Sequence, residues 1–104
     1  MRSLLLAFTF LLPLQAQTGE KIIAAARKQI GVTVSYDPAY TSLDYPNGDV
    51  PTNRGVCTDV LIRAFRAGLG KDLQKLIHED MGKNFSAYPK NWGLSRPDKN
   101  IDLN

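Results

Sequence analysis

Cysteine is nearly absent from this 104-residue chain: Cys57 stands alone. One thiol excludes an internal disulfide, the usual staple of a small exported domain. Histidine is as scarce, with His78 the single imidazole, so a thiol–imidazole dyad confined to the chain would have to use it. Charge of one sign is lacking too. The formal net charge is +3, no block of like charge occurs, and there is no basic stripe of the kind that marks nucleic-acid binders. There is no Gly-rich phosphate loop, and Asp98 and Asp102 have no metal-ligand partners at a useful spacing. These absences exclude nucleic acid as a partner and give no support to a metal or nucleotide site. No apolar run is long enough to span a bilayer with comfort.

What is present begins with an export signal. Arg2 supplies a positive start, Leu4 to Leu14 is apolar apart from Thr9, and Leu14-Gln15-Ala16 ends in the small residue that signal peptidase needs. Residues 1–16 are therefore expected to be removed. A cut after Ala16 puts no cysteine at the new N-terminus, which excludes a lipid anchor there. The product, residues 17–104, is expected in the periplasm or outside the cell, without stable membrane insertion. A chain of that size buries only about 60–65% of its unfolded surface.

Three helices are legible. The first is expected from Gly19 to Ile30, with Thr18 as N-cap and Gly31 as the stop. The second runs from Val56 to Ala67 and stops at Gly68, with a core stripe of Cys57, Val60, Leu61, Ala64 and Phe65. On it, Asp59 and Arg63 stand at i,i+4 as a favourable ion pair, with Arg66 near them. The third has Asp72 as N-cap and Leu73, Leu76, Ile77 and Met81 on its apolar side, and Gly82 ends it. Its wheel puts Asp80 inside the stripe, so that carboxylate is expected to cap a backbone N–H or pair with a basic side chain.

Between the first two helices, Val32 to Tyr36 reads as a short strand, broken at Asp37-Pro38. Tyr45-Pro46-Asn47-Gly48-Asp49 and Pro51 are turn signals. A small β-hairpin with an aromatic loop is expected here. From Lys83 onward the chain reads as irregular and docked by Phe85, Tyr88 and Trp92. The chain is thus mostly α, with no large sheet for its helices.

Cys57 falls where a loop turns into the second helix, a place that favours negative charge on a thiol, while Asp59 in the first turn opposes it. That makes it a candidate nucleophile; its plainer role is a small buried hydrophobe. His78 lies more than 100° from the apolar stripe on a short helix, which makes it a weak candidate for the base. Trp92 and the loop tyrosines offer faces that stack on sugar rings, or else seal the loops onto the helices.

In order along the chain stand Tyr36-Asp37-Pro38-Ala39-Tyr40, Tyr45-Pro46-Asn47-Gly48-Asp49-Val50-Pro51, Gly55-Val56-Cys57-Thr58-Asp59-Val60, Asp72-Leu73-Gln74, His78-Glu79-Asp80-Met81 and Trp92-Gly93-Leu94. Together they resemble the bacterial "domain of unknown function 1287" family, exported proteins of roughly twice this length. The resemblance covers about Ala24 to Asp102. That family looks like a distant relative of the papain-like, NlpC-type cysteine hydrolases that cut cell-wall peptides. It implies an α+β papain-like fold with Cys57 as nucleophile opening a helix, and a base histidine on a strand of a following sheet. The chemistry implied needs no cofactor, and peptidoglycan peptides are the substrate class it suggests. The chain reaches Asn104 without that second half, so residues 17–104 read as the N-terminal, helical half of such a domain, truncated and inactive alone. Two other readings stand beside this one: a small non-catalytic envelope binding module, and a truncated product without function.

Overall fold

The computed structural model describes residues 16–90 and 93–98. Helix α1 occupies residues 16–27. It is followed by strand β1 (Ser35–Tyr36), strand β2 (Arg54–Gly55), helix α2 (Cys57–Leu69), helix α3 (Leu73–Asn84) and a 3₁₀ turn (Phe85–Ala87). The arrangement is mostly helical with one two-stranded sheet, consistent with an α+β fold. Residues 1–15, most of the segment expected to be a signal peptide, together with Trp92 and Asp102, lie outside the described residues.

α1 and α2 run antiparallel through small residues. A Cβ built on Gly68 would come within 2.7 Å of the Lys21 carbonyl oxygen, so the two backbones touch where only glycine fits. At the other end the Gln29 amide donates to the Val60 carbonyl at 3.0 Å. Eight residues forward from Lys21, to Gln29 in the turn just past α1, thus correspond to eight back on α2, from Gly68 to Val60, which sets Ala25 opposite Ala64. Both are buried, Ala64 almost completely. Among the described residues the other buried apolar side chains are Ile62 of α2 and Met81 of α3, and these two helices pack together.

Several helix limits differ from those read in the sequence. Thr18 lies inside α1 rather than at its cap, and the helix gives way to turns by residue 28. α2 continues past Gly68 to Leu69. Its end is set by Gly70, left-handed with φ 65°, whose N–H bonds the Arg66 carbonyl. Gly68 is thus a contact and not a stop. α3 passes through Gly82, because glycine in a helix interior costs only about 1 kcal/mol and the following Lys83 and Asn84 are helix-competent. Lys83 to Ala87 is therefore helical rather than irregular. Asp72 caps α3 as expected, accepting from the Gln74 N–H at 3.2 Å.

The hairpin is replaced by a different device. β1 and β2 pair in parallel, Ser35 against Arg54 and Tyr36 against Gly55. A parallel pair cannot be closed by a tight turn, so the intervening loop must circle back, and α2 holds it there. The Arg63 guanidinium grips the Asp49 carboxylate with two nitrogens, at 2.9 and 3.0 Å. It also donates to the Val50, Pro51 and Arg54 carbonyls and to the Thr33 hydroxyl. One turn on, Arg66 donates to the Gly48 carbonyl at 2.7 Å and to Asp72 at 2.7 Å.

The Tyr45-Pro46-Asn47-Gly48 turn, with a cis bond before Pro46, is read by Gln74. That side chain is 2% exposed. Its carbonyl accepts from the Gly48 N–H at 2.9 Å and its amide donates to the Asp44 carbonyl at 3.1 Å. A buried amide satisfied on both ends stabilises the turn, because either group left alone would carry a desolvation penalty of about 1–3 kcal/mol.

Candidate functional site

The run Gly55-Val56-Cys57-Thr58-Asp59 has a local logic. β2 ends at Gly55, Val56 is extended, and Cys57 is the first residue of α2. Val56 has no side-chain oxygen with which to cap the helix. Instead the chain folds back on Asp59, whose carboxylate accepts from the Val56 N–H at 2.7 Å. That approach requires Gly55: it sits at φ 151°, and a Cβ there would stand 2.8 Å from the Asp59 carboxylate. Glycine, cysteine and aspartate are thus tied together by one helix start.

Cys57 is exposed, which corrects the reading that placed it in the core stripe. The reason lies in α1. The α2 face that carries Ala64 and Gly68 also carries Leu61 and Cys57, but the covering helix has run out by then. Leu61 is half exposed and Cys57 lies a full turn further along. Asp59 is committed to its own helix terminus, so the expected pair with Arg63 does not form and Arg63 takes Asp49.

His78 lies on α3, half-buried, with its ring edge-on to Tyr45 at a centroid distance of 5.0 Å and an interplanar angle of 65°. Its two acidic neighbours point elsewhere. Glu79 is paired loosely with Lys75 at 3.9 Å, and the exposed Asp80 accepts from the Tyr88 hydroxyl and from Asn84 at 3.1 Å. The inward Asp80 expected from the helical wheel, capping a backbone N–H or paired with a basic side chain, is therefore not found, because the 3₁₀ turn brings Tyr88 back to it. Cys57 and His78 are carried by different helices, Cys57 at the start of α2 and far from the turn that leads into α3. Of the loop tyrosines, Tyr36 and Tyr40 are exposed, and Tyr45 packs edge-on against His78 of α3. Among the described residues no three His, Cys, Asp or Glu side chains are grouped to hold a metal ion, and no helix is long and apolar enough to cross a membrane.

The residues missed from sequence are Arg63, Arg66 and Gln74, which shape the loop before the cysteine. Only their position on the two helices that follow a Pro/Gly-rich loop could have singled them out. Asp72 receives the tightest electrostatic treatment. Burial pushes its carboxyl upward, but hydrogen bonds from Arg66 and the Asn47 N–H, the Arg66 charge and the Gln74 N–H outweigh it and hold the group below its usual value.

A sequence model of the family described as "Domain of unknown function (DUF1287)" matches residues 23–104. The chain is also 61% identical over 89 residues to "Uncharacterized protein YijF" of Escherichia coli (strain K12), a match covering 86% of this chain and 43% of that protein. It therefore spans less than half the length of the curated relative it matches. No solved structure matches.

Proposed function

This chain belongs to the family of DUF1287 proteins, and within it we propose that the chain is part of an exported cysteine hydrolase with Cys57 as its nucleophile. The observation that carries the reading is the exposure of Cys57 as the first residue of α2. A cysteine kept for packing would be covered, and this one faces outward beside the early amides of a 13-residue helix. The substrate class is an amide or peptide carbonyl, with cell-wall stem peptides favoured by the family resemblance.

The thiolate sulfur would attack the carbonyl carbon, forming a C–S bond while charge moves to the oxygen. Backbone N–H groups at the start of α2 would meet that oxyanion. The C–N bond then breaks, the amine leaves with a proton, and water cleaves the thioester to return the thiol. The base is assigned to the further length that the relative carries, because His78 rests against Tyr45 on another helix. No cofactor enters this chemistry.

The test joins this chain to the remaining length of the E. coli relative in one polypeptide and incubates it with purified peptidoglycan. Release of peptides that is lost in the Cys57→Ser variant supports the reading. Release that persists without the thiol, or the absence of any acyl-thioester adduct on Cys57 with a peptide-ester probe, sinks it. A non-catalytic envelope binding module is the second reading, favoured by the 71% exposure of Tyr40 in the loop. Retention on peptidoglycan that needs Tyr40 and ignores Cys57 would establish that alternative.

A further inference from the structure

The chain leaves the turn at Val32-Thr33 and runs extended through Val34-Ser35-Tyr36, and alternate residues of an extended run share a face. Thr33 turns toward the molecule, its hydroxyl donating to the Thr52 carbonyl and accepting from Arg63. Val34 and Tyr36 point the other way, 70% and 78% exposed. Ser35, on the other side of β1, is exposed as well, so the apolar side that a half-buried strand would hide is here left open.

The edge of β1 faces the same open region. Val34 and Ser35 both donate to the Asn53 carbonyl just before β2, at 3.0 and 3.1 Å, and Asp37 donates to the Gly55 carbonyl of β2 at 3.0 Å. In a parallel pair such bonds alternate along the strand, so the N–H and C=O of Tyr36 point to the outer edge. The sheet has two strands, and β1 has no second neighbour among the described residues. Leu61 and Cys57 lie at this same end of the molecule, where β2 leads into α2 and α1 no longer covers.

We propose that the Val34–Tyr36 face and the outer edge of β1 form the seat for a β-strand with apolar side chains, supplied by the length of polypeptide that the relative carries outside the matched stretch. That length is the larger part of the relative, since the match covers 43% of it. A second copy of this chain is a poorer occupant. It would bring only another two-residue strand, well short of the roughly 1,000 Å² that a stable interface between separate chains needs. A strand tethered in the same polypeptide docks at high effective concentration, so a small seat suffices. The added strand would pair its backbone with Tyr36 and cover Val34. This inference does not depend on thiol chemistry.

Two formats test it, both in the Cys57→Ser background so that only docking is read. In the first, the 104-residue chain is mixed with the remaining length of the E. coli relative, made as a separate polypeptide, and complex formation is followed by light scattering after gel filtration. A 1:1 complex weakened tenfold or more by Tyr36→Lys or Val34→Lys, and untouched by Lys75→Glu on α3, is expected. In the second, the two parts are joined, and a single thiol placed by Val34→Cys is alkylated. It should react at least tenfold more slowly in the joined polypeptide than in the 104-residue chain, while a thiol placed by Lys75→Cys reacts equally in both. A complex indifferent to Val34 and Tyr36 overturns the proposal. So does a homodimer that Val34→Lys dissolves, which would assign the face to a second copy. Absence of a separate complex together with an unprotected position 34 in the joined polypeptide overturns it as well.

Discussion

The guanidinium of Arg66 meets the carboxylate of Asp72 at 2.7 Å across the turn between α2 and α3, with both side chains largely withdrawn from solvent. The same carboxylate caps α3 and accepts from the Asn47 N–H at 2.8 Å. Asp72 therefore fastens the helix pair and the Tyr45–Gly48 turn at one point.

Its ionisation should be visible in acid unfolding. The folded carboxyl titrates below the unfolded one, for which about 3.9 is usual. A group of this kind contributes stability that is fully present above the unfolded value and is lost as pH falls through the folded value. Unfolding free energy should thus decline from near pH 4 downward. Asp72→Asn keeps a capping oxygen and should flatten that decline, while Asp72→Ala should cost about 2–3 kcal/mol at neutral pH. Urea titrations at a series of pH values check both; an unchanged acid limb in Asp72→Asn would remove the assignment.

Two glycines should respond oppositely to the same substitution. Gly68→Ala forces a methyl against the Lys21 carbonyl and should destabilise by about 1–3 kcal/mol. At Gly82 nothing lies within 4 Å of a built Cβ, so Gly82→Ala should stabilise α3 by about 0.5–1 kcal/mol. Urea midpoints of the two variants, measured side by side, decide the matter.

Arg63 holds the loop by its fork. Arg63→Ala should cost about 3 kcal/mol and speed amide exchange at Val34, Ser35 and Asp37, whose acceptors sit on the segment it grips. Arg63→Lys should recover little, since an ammonium cannot bridge a carboxylate and several carbonyls at once. Exchange followed by NMR reads this residue by residue.

Cys57 should behave as a surface group. Alkylation should proceed in the native state at a rate independent of urea below the unfolding transition, and Cys57→Ser should change stability by no more than about 0.5 kcal/mol. A thiol that reacts only after unfolding would return Cys57 to the core.

The residues show why part of this was legible in the sequence. Asp72 before a helix has few other uses, and its cap was plain. The ordered motifs around Cys57 were specific enough to give the family. Periodicity located three helices and the face of α2 that carries Cys57, Leu61 and Ala64. It could not show where the covering helix ends, which is what separates buried Ala64 from exposed Cys57. Spacing also favoured Asp59 for Arg63, since an i,i+4 partner is nearest in sequence. The competing bond to the Val56 N–H consumed that carboxylate, and the true partner, Asp49, lay fourteen positions back. Asp80 illustrates the same limit: the wheel saw its angle but not the return of Tyr88. A parallel strand pair closed by an arginine leaves no turn signature to read.

The reach of Arg63 also orders events in time. A two-residue strand pair has no independent stability, and the donors that hold its loop are aligned only once α2 is helical. Helix formation takes about a microsecond or less, far faster than closing so non-local a pairing. The helix therefore comes first and the loop condenses onto it. Substitutions in the interior of α2 should slow folding, whereas those at Thr33 or Asp49 should leave the folding rate nearly unchanged and accelerate unfolding.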